Sequence, residues 1–290
     1  MSDLLYPTSL SELTSWQKRN KTTQMEARLR FVHFVILECI AQSSLQSKLS
    51  FKGGNALRFI YQNRRSTTDL DFSASEGFPD SEMQIRSELD MAIGNGIAEF
   101  GIRARSQKVK RNPKTAAATH PTYQITIGYA FPNGRRFPDF ETNLKPLETT
   151  VDLEISLNEV VCEAQETPLR ADVVSRLKVC TLDDIIAEKL RSLLQQPIRN
   201  RHRKQDVLDI AVMMTRRGSE LDREKISRFL IEKAHAREIE PKRSSFDEVV
   251  RDHAQLDYEQ LRNDAGGDFI PFEEAWAIVL GLVGELNLPD

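Results

Sequence analysis

Residues 51–72 read FKGGNALRFIYQNRRSTTDLDF. A short apolar run ends in Gly53 and Gly54, a helical stretch follows, and two aspartates, Asp69 and Asp71, stand one residue apart further on. Glycine admits backbone conformations closed to other residues and lets bare N–H groups approach an anion. The spacing predicts a strand over 50–52, a helix over about 55–62 with its positive end at the glycines, and a second strand over 70–73. Side chains two apart on a strand face the same side. Asp69 and Asp71 are therefore expected to present two carboxylates together, with Leu70 and Phe72 turned into the core. A phosphate cradle beside paired carboxylates suits Mg²⁺-assisted nucleotidyl transfer.

Composition narrows the classes. The chain has 290 residues, a formal net charge of −3 and 40% hydrophobic residues. That is enough apolar material for one large domain or two modest ones. The near-neutral balance excludes a polycation, so any nucleic-acid contact must come from a local basic patch. Cys39, Cys162 and Cys180 have no metal-type spacing and, without a secretory signal pattern, read as reduced buried thiols of a cytoplasmic protein. The most apolar N-terminal run, 31–40, is too short to span a bilayer and is broken by His33 and Glu38. His33 falls on an apolar helical face and reads as a core residue.

Along the chain, helices are expected over 23–44 and 81–100 and strands over 102–109 and 122–129. The polar, basic stretch 110–121 between those strands reads as a mobile flap. Residues 149–161 alternate as a strand: Val151, Leu153, Ile155 and Leu157 take one side, and Asp152, Glu154, Ser156 and Asn158 the other. Glu154 could thereby join Asp69 and Asp71 as a third carboxylate, as metal ligand or as acceptor of a nucleophile's proton; the plainer alternative is a solvated strand face. After Cys180 the texture becomes helical. Thr181 caps a helix over 183–195 that Pro197 ends, followed by helices over 204–215, 223–234, near 246–253, and 271–286. The expected division is 1–175 and 176–290, an α+β protein overall.

The remaining charged residues are open to two readings each. Lys189 on its own reads as a surface lysine paired with Asp184 or Glu188. Asp206 and Asp209, one turn apart, share a helix face, where they could hold Lys189 or an arginine, or bond a ribose. Basic clusters lie at Arg103, Arg105, Lys108, Lys110, Arg111 and Lys114, and at Arg199, Arg201, His202, Arg203 and Lys204. Each is either a solvated run or a phosphate contact.

The 51–72 segment resembles the opening motif of the AbiEii/AbiGii-type nucleotidyltransferase toxins, within the polymerase-β-like superfamily. Lys52, Gly53, Gly54, Ala56, Leu57, Tyr61, Arg65, Asp69, Leu70, Asp71 and Phe72 carry the match, with Asn55 where the family often has Thr. Glu188, Lys189, Leu190, Asp206 and Asp209 are similar to a second, helical element, and Glu154 to an acidic strand position. The resemblance implies a small mixed-sheet nucleotidyltransferase domain followed by a helical C-terminal domain. It implies a toxin of a type IV-like toxin–antitoxin or phage-defence pair, neutralised by an antitoxin protein, that uses an NTP. Some relatives add pyrimidine nucleotides to the 3′ end of tRNA. On that basis Asp69, Asp71 and Glu154 bind Mg²⁺, or Mn²⁺ in its place. Gly53, Gly54, Asn55, Lys189 and Asp209 serve the nucleotide, Asp206 supports catalysis, and Lys108, Lys110, Arg111, Arg199 and Arg203 contact RNA. The alternatives are NMPylation of a protein hydroxyl, and a degenerate NTP- or antitoxin-binding module, which has no need to keep Asp69, Asp71 and Lys189 together.

Overall fold

The computed structural model describes residues 5–115, 118–143, 145–170 and 174–290. The chain forms two compact units. One comprises Met1–Ile60, Thr68–Asn158 and Gln165–Val179; the other comprises Tyr61–Thr67, Glu159–Ala164 and Cys180–Asp290. Two short pieces from before residue 180 thus count with the helical unit.

The first unit is built from α1 (Leu13–Arg19), α2 (Gln24–Ala41), β1 (Leu49–Lys52), α3 (Gly53–Phe59), β2 (Leu70–Ala74), α4 (Glu82–Gly96), β3 (Arg103–Asn112), β4 (Thr122–Ala130) and β5 (Thr150–Ser156). With β6 (Ala164–Thr167) and β7 (Leu177–Cys180) the strands make one seven-stranded sheet, in the order β3-β4-β5-β2-β1-β7-β6. The sheet is mixed: β2 runs parallel to β5, β1 runs parallel to β7, and the β3/β4, β4/β5 and β1/β2 pairs are antiparallel.

Register gives the sheet two faces. Phe51, Phe72, Ile155 and Tyr123 align across four strands on one of them, and all four are essentially inaccessible. On the same side α2 contacts β5 and α4. Thirteen of the 18 residues of α2 are buried, so it is a core helix and not an amphipathic surface one. It starts at an N-cap, where Thr23 Oγ1 accepts from the Glu26 N–H at 3.1 Å. No helix among the described residues is long and apolar enough to cross a membrane.

Two strand boundaries differ from expectation. β5 stops at Ser156, because Leu157 donates its N–H to the Pro121 carbonyl at 2.9 Å and Asn158 turns left-handed at φ 56°. β3 extends to Asn112, opposite Thr122, so Lys110 and Arg111 are ladder residues and not part of a loop. Ala116 and Ala117, the middle of the expected flap, lie outside the described residues.

The second unit contains α5 (Leu182–Arg199), α6 (Lys204–Arg217), α7 (Arg223–His235), α8 (Glu248–Gln255) and α9 (Phe272–Glu285). Helix α5 packs on α6, α7 and α8, and α6 packs on α9. Thr181 caps α5, as its sequence position predicts. Pro197 does not end the helix: α5 continues through it to a left-handed cap at Asn200, φ 48°. A proline lacks the N–H that would bond the carbonyl four residues back, here that of Leu193. The buried Gln196 supplies the missing donor, its Nε2 reaching the Leu193 carbonyl at 3.2 Å. The same amide group donates to the Val250 carbonyl at 3.4 Å and accepts from the Arg203 N–H at 2.6 Å.

Replacing Gln196 leaves three backbone groups to find other partners in a buried place. Gln196→Ala is expected to lower stability by about 2 kcal/mol, measured by urea unfolding. An unchanged midpoint would show that the side chain does not substitute for the proline N–H.

Candidate active site

Strand β2 lies between β1 and β5, and its central carboxylate gains a neighbour on each side. Asp71 is in register with Lys52 on β1 and Glu154 on β5, so all three side chains leave the sheet on the polar face. Asp69 stands just ahead of β2, exposed, and accepts from the Thr68 hydroxyl at 2.8 Å. Gly53 explains why glycine is needed at the end of β1. Its φ is +72°, and a Cβ there would sit 2.3 Å from Asp71 Oδ2. The glycine therefore makes room for the carboxylate as well as setting the turn.

Two expectations at this turn are corrected. Helix α3 begins at Gly53 and has only seven residues, so its macrodipole is slight and any anion cradle there rests on the glycine N–H groups. Asn55 does not point at that cradle. Its side chain is fully buried, donating through Nδ2 to the Asp69 carbonyl at 2.7 Å and accepting from Arg30 at 3.1 Å. Lys52 is a site residue that the sequence reading matched but gave no role; its ammonium donates to Ser156 Oγ at 3.1 Å. A lysine closing an apolar strand was the available signal.

The donor chemistry fits a hard divalent cation. Carboxylate oxygens are what Mg²⁺ takes from proteins, and it usually keeps waters and substrate phosphates for the rest of its shell. Among the described residues no group of three or more His, Cys, Asp or Glu side chains is gathered around one point. Asp71 and Glu154, in register on neighbouring strands, are residues that could each offer a carboxylate to such an ion.

The register extends outward from the acidic pair. Lys110, Gln124, Glu154, Asp71 and Lys52 form one continuous row across five strands. A bulge between Ser106 and Lys108 shifts the phase of β3, so Arg103, Arg105, Lys108 and Lys110 all share this face. They are not equivalent. Arg105 donates to the carbonyls of Phe140 and Asn143, each at 2.9 Å, and Arg103 lies 4.7 Å over the Phe137 ring. Lys108 is exposed and Lys110 half-buried. Arg111 is on the opposite face, opposite Tyr123, and donates to the Pro113 and Thr115 carbonyls at 3.3 and 2.7 Å beside Asp80. Its expected RNA contact is thus replaced by a structural role.

In the helical unit Lys189 is not a surface lysine. It is buried, and its ammonium bonds Asp206 at 2.7 Å and Asp209 at 2.8 Å. Its sequence neighbours are occupied elsewhere: Asp184 holds Lys233 at 3.1 Å and Glu188 pairs with Arg191. Asp209 also accepts both arms of Arg65, at 2.7 and 2.8 Å, and the Asn63 amide at 2.9 Å. Burial alone would raise the Asp209 carboxyl, but Arg65 and Lys189 outweigh it and hold it well below the usual carboxylate range. Burial likewise opposes the charge on Lys189, and Asp206 and Asp209 reverse the effect and raise it. Arg65 and Asn63 belong to the piece of chain that leads directly into Asp69, so this network fixes that piece. Arg199 is exposed and Arg203 half-buried. Burial first, and then the neighbouring Arg201, Arg191 and Arg203, lower the Arg199 guanidinium.

Comparison with known proteins follows the geometry. Residues 35–278 match the family model described as the nucleotidyl transferase AbiEii toxin of a type IV toxin–antitoxin system. The fold is similar to the crystal structure of a putative nucleotidyltransferase from H. pylori, at 13% identity and TM-score 0.51, covering 90% of this chain and 94% of that one. It is similar to JHP933 from Helicobacter pylori at 14% identity and TM-score 0.50, covering 91% of each chain. It is also similar to MenT4, a nucleotidyltransferase toxin from Mycobacterium tuberculosis, at 15% identity and TM-score 0.51, covering 92% of this chain and 98% of that one. At these identities the likeness is one of fold. No curated protein matches the chain.

The Asp209 network makes a prediction about acid. A carboxylate whose folded pKa is depressed contributes stability above its unfolded value, about 3.9, and loses it as pH falls through the folded value. Wild-type stability is therefore expected to drop below about pH 4. Asp209→Asn should be less stable at pH 7 and show a shallower acid limb in urea midpoints measured from pH 7 to pH 2. A parallel limb in the variant would remove Asp209 from the acid response.

Proposed function

The chain belongs to the AbiEii nucleotidyl transferase toxin family, and we propose that it transfers a nucleotide from an NTP to the 3′ end of tRNA and so blocks translation. The observation that supports this most is the Asp71–Glu154 pair in register beside a glycine that packs on the Asp71 carboxylate. In the proposed reaction the acceptor 3′-oxygen forms a bond to the α-phosphorus, the bond from that phosphorus to the pyrophosphate oxygen breaks, and the hydroxyl proton leaves toward Glu154. Asp69 and Asp71 would hold Mg²⁺, which when bound supplies charge for the phosphate oxygens and polarises the acceptor hydroxyl. Gly53 and Gly54 offer backbone N–H groups to the phosphates. Lys52 keeps a positive charge next to Asp71. Lys189, Asp206 and Asp209 enter through the segment they fix ahead of Asp69.

The polar row suggests where the acceptor lies. Neighbouring strands are about 4.8 Å apart, so Lys110 is roughly 14 Å from Asp71 along the ladder, about the reach of two nucleotides of extended strand. Lys108 and Lys110 are assigned to backbone phosphates of the acceptor, which are read by charge and not by base. Arg199 and Arg203 make a second such patch on the helical unit. A type IV family also brings a protein antitoxin as partner.

Purified protein incubated with total tRNA and each labelled NTP in turn, with Mg²⁺, Mn²⁺ or chelator, tests the reading. Label is expected in tRNA, with Asp71→Ala abolishing transfer while its melting temperature stays near wild type. Full activity in Asp71→Ala would overturn the assignment, and label in protein instead of tRNA would establish NMPylation.

The row yields a separate expectation. Lys108→Gln with Lys110→Gln should weaken tRNA binding and lower its salt slope by about 2, whereas Arg111→Gln should leave the slope alone and cost stability. Equal slopes for wild type and the double variant would remove the acceptor from this face.

A further inference from the structure

A fully buried arginine needs an explanation. Arg30, on α2, has no accessible surface, and taking a guanidinium out of water is costly unless its donors are used. Its contacts identify its use. Nε donates to Glu26 Oε1 at 2.7 Å, and one terminal nitrogen lies 3.1 Å from Asn55 Oδ1 and 3.4 Å from His33 Nδ1. Asn55 passes the contact on, its Nδ2 donating to the Asp69 carbonyl at 2.7 Å.

We infer that Arg30 and Asn55 are positioning residues for the carboxylate pair: through the Asn55 amide, the core helix α2 sets the Asp69–Leu70 peptide and hence the placement of Asp69 relative to Asp71. The inference rests on the reading above, in which Asp69 and Asp71 hold a divalent cation. Three features carry it. Arg30 can only donate and a backbone carbonyl can only accept, so the residue between them must do both; a side-chain amide does, with its two ends separated as the two partners are. Asn55 stands two residues after Gly53, the glycine against which the Asp71 carboxylate packs, so one short helix meets both aspartates. The Asp69 carbonyl, unlike its exposed carboxylate, is tied to a group with no accessible surface, which gives that peptide a fixed reference inside the core. Neither Arg30 nor Asn55 touches substrate in this scheme. They act on the ligands, as supporting partners of metal ligands generally do.

The test is Mn²⁺ binding to the purified full-length chain, followed by electron paramagnetic resonance, together with turnover against Mg²⁺ concentration and a thermal melt. Asn55→Asp is the decisive variant. It is isosteric, keeps an acceptor for Arg30 and so favours folding, yet turns a negative oxygen toward the Asp69 carbonyl. Asn55→Leu removes both bonds, and Asp71→Ala is the control for the site itself. The expected result is that Asn55→Asp and Asn55→Leu weaken Mn²⁺ binding at least about tenfold and shift the Mg²⁺ requirement upward, with kcat recovering in part at high Mg²⁺. A merely structural asparagine would move the melt and leave the metal dependence in place. Folded Asn55→Asp with wild-type Mn²⁺ affinity overturns the inference, as does failure of Asn55→Asp to fold, which would make Asn55 a determinant of the fold. If Asp71→Ala itself binds Mn²⁺ like wild type, the site reading fails and the inference with it. If Asp71→Ala loses Mn²⁺ while Asn55→Asp does not, the inference alone fails.

Discussion

The contact on which the rest of the first unit depends is the approach of Gly53 to Asp71. A strand, a left-handed turn and a carboxylate are pressed together so closely that no side chain fits between them. Because β1 must end there with φ at +72°, α3 departs immediately, and because Asp71 must lie there, β2 is held beside β1 in one register. That register decides the sheet's faces. A slip of one residue would turn Asp71 into the layer of Phe51 and Phe72 and bring Phe72 to the polar side. The full burial of Leu70 and Phe72 on the other face is the force that prevents it. The polar site is thus positioned by apolar packing on the reverse of the same strand.

The helical unit handles its buried carboxylates by saturating them. Asp209 accepts from Lys189, Arg65 and Asn63, and Asp184 accepts from the Cys162 N–H at 2.7 Å while pairing with Lys233. Desolvation differs in weight between them. At Asp184 burial wins and its carboxyl is raised despite Lys233, whereas at Asp209 two cations win and the carboxyl is lowered. Such networks add little net stability over a well-packed apolar core, but they are specific, since removing one member strands the rest. Here the specificity falls on residues 61–67. That piece is irregular, and its anchors are Asn63, Arg65 and the buried Tyr61, whose hydroxyl donates to the Cys180 carbonyl at 3.0 Å.

What was legible in the sequence follows from these forces. Strand β2 was read almost residue by residue, and β5 correctly in its faces though carried five residues too far, because period-2 alternation records which face is buried, and that placed Asp71 and Glu154 on one side. The cap at Thr181 was legible because capping is local. Three features were not. Pro197 was read as a stop because the substitute donor, Gln196, acts through its side chain, which propensity does not register. Asn55 was assigned to phosphate because its polarity was visible and its burial under Arg30 was not. Lys189 on its own looked like a surface residue because its partners lie 17 and 20 positions away, beyond any helical repeat; only from the side of Asp206 and Asp209, one turn apart, was a hold on Lys189 or an arginine readable, and Asp209 holds both. In each case a side chain reaches across sequence to meet a buried polar group, and no local pattern encodes that.

The basic hairpin shows how far such a miss can spread. Counted along the sequence, Arg103, Arg105, Lys108, Lys110 and Arg111 form one cluster, and an unbroken strand would place Arg103, Arg105 and Arg111 on one side and the two lysines on the other. The bulge before Lys108 inserts one residue and regroups them, with Arg103, Arg105, Lys108 and Lys110 on one face and Arg111 on the other. The lysines now share a face with Asp71 and Glu154, while Arg111 is carried to the apolar side, where it survives only by bonding loop carbonyls and lying beside Asp80. Arg103 and Arg105, though returned to the polar face, are committed to the segment that follows β4. Of five cations in the run, geometry leaves Lys108 and Lys110 to meet a ligand on the face that carries the acidic pair. A short insertion in one edge strand thus does more to decide which cations share a face with Asp71 and Glu154 than the charge count does.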